Sequence, residues 1–200
     1  MIPRLFKVRQ KIPAPELTNP CAELEARLKG FSRKIQPGKK IAIAVGSRGI
    51  DQVADLCKVL VSWVKEQGAH PYIVPAMGSH GASTSEGQKK VLEELGISEK
   101  NLSCQIKSEI EPKLVGELEG IKIFFDQPAS QADGIILLNR IKPHTSFKGE
   151  YESGLCKMLA VGLTKRKGAE EIHKFGPKRL AELIPKVADY LLKKFPVIFG

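Results

Sequence analysis

Long apolar runs are missing from this 200-residue chain, and the longest fall far short of what a membrane-spanning helix requires. A secretory leader is not expected, because Arg4, Lys7, Arg9 and Lys11 interrupt the apolar segment such a leader needs. Cysteine is sparse. Cys21, Cys57, Cys104 and Cys156 are scattered without a CxxC or other metal-ligand spacing, which predicts reduced thiols in a cytoplasmic protein. Also absent are a P-loop, a G-x-S-x-G elbow, an H-E-x-x-H pair and a G-x-G-x-x-G turn opening a helix, and several common enzyme classes go with them. No RNP-like aromatic motif, zinc finger or helix-turn-helix is found, so nucleic acid and membrane are not the expected partners. Neither an internal repeat nor a low-complexity linker divides the chain, and residues 1–200 are read as one domain.

What is present begins with 42% hydrophobic residues, enough for one domain with a real core. The formal net charge is +10, but the 32 Lys and Arg are spread along the chain rather than gathered into an arm or patch. Such a balance suits acidic ligands, phosphates and carboxylates among them. It equally suits a solvated surface laced with ion pairs.

The pattern predicts an α/β fold, a Rossmann-like, mostly parallel sheet flanked by helices with a small β-hairpin added. Leu5 to Ile12 alternates weakly before Pro13 and Pro15, as an edge strand would. After a short helix at Ala22 to Leu28, Ile41-Ala42-Ile43-Ala44-Val45 is the first buried strand. A helix over Asp51 to Glu66 and a strand at Pro71 to Pro75 follow, a strand-helix-strand unit whose connection suits a parallel crossover. A capping box at Ser83 and Glu86 predicts a helix from Ser83 to Leu95. Runs at 114–118 and 121–125, joined at Glu119-Gly120, predict a hairpin attached to the sheet. Gly134 to Leu138 is a second buried strand. Pro185 predicts a kink, or two helices, within 177–194, and Pro196 to Phe199 reads as a last strand at an edge or as the start of a further element.

Reactive side chains concentrate between Asn139 and Gly176. Pro143 ends the strand at 134–138 and releases His144 onto a loop. Ser153 is placed to cap a helix with Leu155, Met158, Leu159 and Gly162 on one face and Lys157 and Val161 on another. A second short helix after Gly168 carries His173 before Gly176 ends it. In open parallel sheets the ligand crevice lies outside the carboxyl ends of the strands. Arg48, His80 and His144 each follow such an end. His80, between glycines, and His144 are acid or base candidates, the alternative being loop histidines without a task. His70 lies at the opposite end of its strand. Arg48 could offer a fork to a carboxylate or phosphate, and Lys157 stands out through its small and apolar neighbours.

In this order, Gly46-Ser47-Arg48, Gly78-Ser79-His80-Gly81, Pro143-His144, Gly154 to Lys157 and His173 resemble the amino-terminal domain of the nickel-dependent lactate racemase family. The resemblance runs from the strand at Ile41 to Phe199-Gly200. It implies a nickel pincer nucleotide (pyridinium-3,5-bisthiocarboxylic acid mononucleotide nickel) tethered covalently to Lys157, with His173 as nickel ligand. It implies His80 and His144 as catalytic acid/base groups and Arg48 as anchor of the substrate carboxylate. The implied activity is racemisation or epimerisation of a 2-hydroxy acid by reversible hydride transfer to the cofactor. Cofactor-synthesis proteins and a carboxyl-terminal domain, not found in these residues, are the implied partners, and the chain alone is then expected to lack part of the site. Two departures from the family pattern, a longer loop between His144 and Lys157 and Val45 where an acidic residue would precede the arginine, imply a divergent subgroup. A non-catalytic α/β module binding phosphorylated or acidic metabolites is the alternative reading.

Overall fold

The computed structural model describes residues 6–11, 16–47, 49–145 and 147–200. In chain order its elements are α1 (Pro20–Leu28), β1 (Lys40–Val45), α2 (Val53–Glu66), β2 (His70–Pro75), α3 (Ser85–Glu94), α4 (Glu99–Leu102) and β3 (Gln105–Ile106). Then come β4 (Lys113–Leu118), β5 (Ile121–Phe125), α5 (Gln127–Ser130), β6 (Gly134–Leu138), α6 (Leu155–Lys157), α7 (Lys165–His173), α8 (Gly176–Lys194) and β7 (Val197–Phe199).

Five strands form a parallel sheet in the order β3-β2-β1-β6-β7. The chain works outward from β1 through β2 to β3, then returns to lay β6 on the other side of β1. The strand order therefore reverses between β1 and β6, and a cleft opens at the carboxyl ends of the strands there. Alternation along the central strands sends residues to two cores. Ala42, Ala44, Ile135 and Leu137 face the hairpin, α7 and α8, while Ile41, Ile43, Val45 and Ile136 face α1, α2 and α3. Small alanines on the first face let the helical layer after β6 approach closely, and Phe125 stacks on Phe195 there with ring centroids 4.0 Å apart.

Several expectations are corrected by this structure. Residues 6–11 form no strand, and the remainder of the predicted edge strand, Leu5 and Ile12, lies outside the described residues. Thr84, not Ser83, caps α3, its hydroxyl accepting from the Gly87 amide at 3.0 Å, because Gly81–Ser83 already makes a 3₁₀ turn that carries Ser83 into the left-handed region. Ser153 caps nothing. It pairs with Lys142 in an isolated antiparallel bridge, and Gly154 occupies the cap position of α6. α7 begins at Lys165 and runs through Gly168, which lies against Thr164 so closely that a β-carbon would sit 2.2 Å from the threonine Cβ. α8 is one helix with Pro185 inside it. The hairpin β4–β5 forms its own two-stranded sheet rather than extending the main one. β7 pairs parallel to β6 at the sheet edge.

Between α6 and α7 one turn, Met158–Gly162, winds as a π-helix, with the Leu163 amide donating to the Met158 carbonyl at 2.8 Å. Its last residue meets the end of β2, since the Gly78 amide donates to the Gly162 carbonyl at 3.0 Å and a β-carbon on Gly162 would lie 2.6 Å from the Ala76 carbonyl oxygen. Backbone cannot yield as a side-chain tip can. Gly162→Ala is therefore expected to destabilise the protein by about 1–3 kcal/mol, read as a lower urea midpoint with unchanged slope.

Candidate functional site

Three strand ends border the cleft at the order reversal. β1 ends in Gly46 and Ser47, and the Gly46 amide continues the ladder by donating to the Leu138 carbonyl at 3.1 Å. A β-carbon on Gly46 would sit 2.6 Å from Asn139 Oδ1, so glycine is what lets these two ends close together. β2 ends in the loop 76–80, and β6 in Asn139 to His144. Asn139 ties the segments, its amide donating to the Gly154 carbonyl at 3.0 Å while its oxygen accepts from the Arg140 amide at 2.9 Å.

Two adjoining cavities fill the cleft. One, of about 210 Å³, is bordered by Ser47, His80, Arg140, Lys142, His144 and Lys157, with no carboxylate among its described lining residues. The other, of about 390 Å³, is bordered by Met77, His80, Lys157, Val161, Ala169 and His173. His80 and Lys157 belong to both. Lys157 also borders a third, more apolar hollow of about 610 Å³ along Ile141, Pro143, Tyr151 and Leu155. The structure thus brings together His80, His144, Lys157 and His173, which are dispersed over 94 positions of sequence. Arg48 lies outside the described residues. Its neighbour Gly49 accepts from the Arg140 guanidinium through its carbonyl at 2.9 Å. His70 starts β2 at the far end, as its place in the sequence implies.

Each histidine is held differently. Ser47 Oγ lies 2.6 Å from His80 Nδ1 across the β1–β2 boundary. The backbone amide of His144 donates to Glu152 Oε2 at 2.7 Å, and its ring stacks on Phe147 with centroids 4.2 Å apart. That amide, followed by the Gly149 amide, holds the Glu152 carboxylate below its ordinary range. His144 Nε2 lies 2.5 Å from Lys157 Nζ. An ammonium has protons and no lone pair, so with Lys157 charged the imidazole accepts and is neutral at Nε2. His173 Nδ1 lies 2.6 Å from the Ala169 carbonyl. A carbonyl can only accept, so Nδ1 carries a proton, and in the neutral ring Nε2 is then the nitrogen with the lone pair, the tautomer suited to binding a metal through Nε2.

Sequence patterns gave no notice of Ser47 as the partner of His80, of Asn139 as a tie, or of Glu152 beneath His144. These depend on tertiary approach between residues far apart in the chain or across a loop, and no local signal marks them. Beneath the cleft, Lys165 is buried with its ammonium 2.9 Å from Asp126 Oδ2. This is a contact of charges rather than a well-directed hydrogen bond on that oxygen. Among the described residues no group of three or more His, Cys, Asp or Glu side chains could by itself hold a metal ion.

Burial, then the Lys157 and Lys142 charges, depress the His144 pKa below its ordinary 6.5, Glu152 opposing. Below 6.5 the unfolded chain consequently binds more protons at this position than the folded one, so this contribution to stability is lost as pH falls toward the depressed value. His144 is expected to titrate below 6.5 by NMR, and Lys157→Met to move its midpoint upward. A midpoint that stays put in the variant would contradict the assigned influence of the lysine charge.

No helix among the described residues is long and apolar enough to cross a membrane. Neither a curated protein nor a solved structure matches the chain. The family model described as "Lactate racemase N-terminal domain" matches residues 16–179, which spans four of the five strands of the parallel sheet, the cleft and all the histidines that line it. The chain belongs to the lactate racemase N-terminal domain family.

Proposed function

We propose that this chain is the cofactor-holding domain of a nickel-pincer-dependent racemase or epimerase acting on a 2-hydroxy acid. The observation that carries the reading is the position of Lys157, whose side chain borders both cavities of the cleft between His80, His144 and His173.

The residues fit the nickel pincer nucleotide that the family implies. A lysine amine for the covalent tether and a histidine whose Nε2 is left as acceptor line one cavity, and imidazole suits Ni(II). When bound, the nucleotide supplies the acceptor for the hydride from the substrate Cα.

The chain's own part is to bind, orient and move protons. His80 on the β2 wall and His144 on the β6 wall would each serve as base for the hydroxyl proton of one enantiomer and return it to the other. Burial, the largest cause of the lowered His144 pKa, and the Lys142 charge persist when the Lys157 amine is taken up by the tether, and both favour the neutral imidazole a base requires. Arg48 is proposed from the family resemblance as the carboxylate anchor, and Arg140 and Lys142 add positive charge to the first cavity. We place the protein in the cytoplasm, where cofactor-synthesis proteins would load it, and assign residues 1–200 to one domain that works with a carboxyl-terminal domain completing the substrate pocket.

A second reading draws on the first cavity, which presents Arg140, Lys142 and Lys157 without a described carboxylate. An acidic or phosphorylated metabolite could bind there without chemistry. The two readings separate by intact mass. Expression alongside the cofactor pathway is expected to add the cofactor mass at Lys157, to lose it in Lys157→Arg with the fold preserved, and to lose nickel in His173→Ala. An unmodified lysine, with thermal stabilisation by acidic metabolites alone, would favour the binding module.

A further inference from the structure

Below the cleft, outside the residues assigned so far, three buried polar side chains form one continuous chain. Asp126 and Gln88 are 0% exposed and Lys165 is 1% exposed. The Lys165 ammonium donates to the Pro75 carbonyl at 2.8 Å and to Gln88 Oε1 at 3.2 Å, and pairs by charge with Asp126 Oδ2 at 2.9 Å. Asp126 Oδ1 accepts from the Ala129 amide at 2.7 Å and so caps α5. Gln88 spends its amide nitrogen on the carbonyls of Gly78 at 3.0 Å and His80 at 3.3 Å. The path runs from the end of β5 through the first residue of α7 and through α3 to the backbone of His80.

Stability alone does not account for this arrangement. A buried ion pair is often replaced by apolar side chains of similar volume without loss, and a buried glutamine must be desolvated whatever it binds. Lys165 moreover has φ of 56°, a left-handed conformation unfavourable to a residue with a β-carbon, at the first position of α7. The ammonium's three contacts hold it there. Lys165 begins α7, which ends in His173 on one wall of the second cavity, and its partner Gln88 bonds the carbonyls of Gly78 and His80 in the loop that forms the other wall. The contact between α3 and that loop is equally tight, for a β-carbon on Gly87 would fall 2.0 Å from the Gly81 carbonyl oxygen.

We infer that Asp126, Lys165 and Gln88 are positioning residues that brace the two walls of the cleft against each other and fix the place of His80 within it. A buried network of directed hydrogen bonds and a paired charge favours one arrangement where an apolar contact would tolerate several. The inference concerns the site of the proposed racemase but is tested on the histidine itself, so it stands or falls independently of whether Lys157 carries a cofactor.

The test follows the His80 imidazole by ¹⁵N and ¹H NMR across a pH titration, with His70 at the far end of β2 as the control within the same molecule. Two variants of the full chain cut the brace at different links. The pair Asp126→Leu/Lys165→Met removes the charges together, and Gln88→Met leaves the ion pair but releases the His80 and Gly78 carbonyls. In each, with native circular dichroism, the His80 midpoint is expected to move by about 0.5 pH unit or more while His70 does not move. His80 signals and midpoint coinciding with those of the parent in a folded variant would overturn the inference. So would collapse of both variants, since that would make the network a requirement of folding rather than of position.

Discussion

Parallel pairing of β1 with β6, in register from Ile41 opposite Gly134 to Val45 opposite Leu138, is the constraint on which the site depends. It ends two strands at one level just where the chain reverses its order across the sheet. β2 pairs with β1 on the other side and ends at the same level, Val45 opposite Pro75. Three loops must then leave one edge together, and they bring Ser47, His80 and His144 with them. None of these residues needs an attraction to the others to meet there. The register delivers them, and the side-chain contacts refine what the register has placed.

Within that edge, burial and then charge act on His144. The first cavity gathers Arg140, Lys142 and Lys157 with no carboxylate among the described lining. Glu152, the nearest acid to His144, is occupied by two backbone amides. The imidazole of His144 therefore sits among positive charges and partly out of water, and both effects favour its neutral form. The same surroundings attract an anionic ligand. A neutral imidazole beside a cationic surface thus follows from burial first and from the neighbouring lysine charges second.

The sheet was legible in the sequence because a parallel sheet's buried strands are continuous apolar runs, as at Ile41 to Val45 and Gly134 to Leu138. Strand-end logic singled out His80 and His144 and the family pattern added His173; His80 and Lys157 border both cavities, His144 the first and His173 the second. What escaped was fixed by tertiary contact. Ser83 and Glu86 satisfy the capping-box spacing, yet the 3₁₀ turn ahead of α3 leaves Thr84 holding the cap. Gly168 looks like a helix start but lies inside α7, where its missing side chain admits Thr164. Lys165 reads as one more cation in Lys165-Arg166-Lys167, and only its acceptors, 39 to 90 residues earlier in the chain, set it apart from its exposed neighbours.

The π turn at Met158–Gly162 shows why Lys157 and His80 behave as parts of one body. Widening a single turn gives up regular helical hydrogen bonds, and such turns persist where something else holds them. Here the turn buries Met158, Leu159, Ala160 and Gly162 while leaving Lys157 and Val161 on the cavity side. What holds it is backbone, because the Gly162 carbonyl accepts from the Gly78 amide and Gly162 itself leaves no room for a β-carbon against the Ala76 carbonyl. Gly78 is also gripped through its own carbonyl by Gln88, which takes the His80 carbonyl too. The lysine's turn and the histidine's loop are thus fastened to each other through residues without reactive groups. Displacing either would require breaking main-chain hydrogen bonds in a buried region, where unpaired groups cost about 1–3 kcal/mol each.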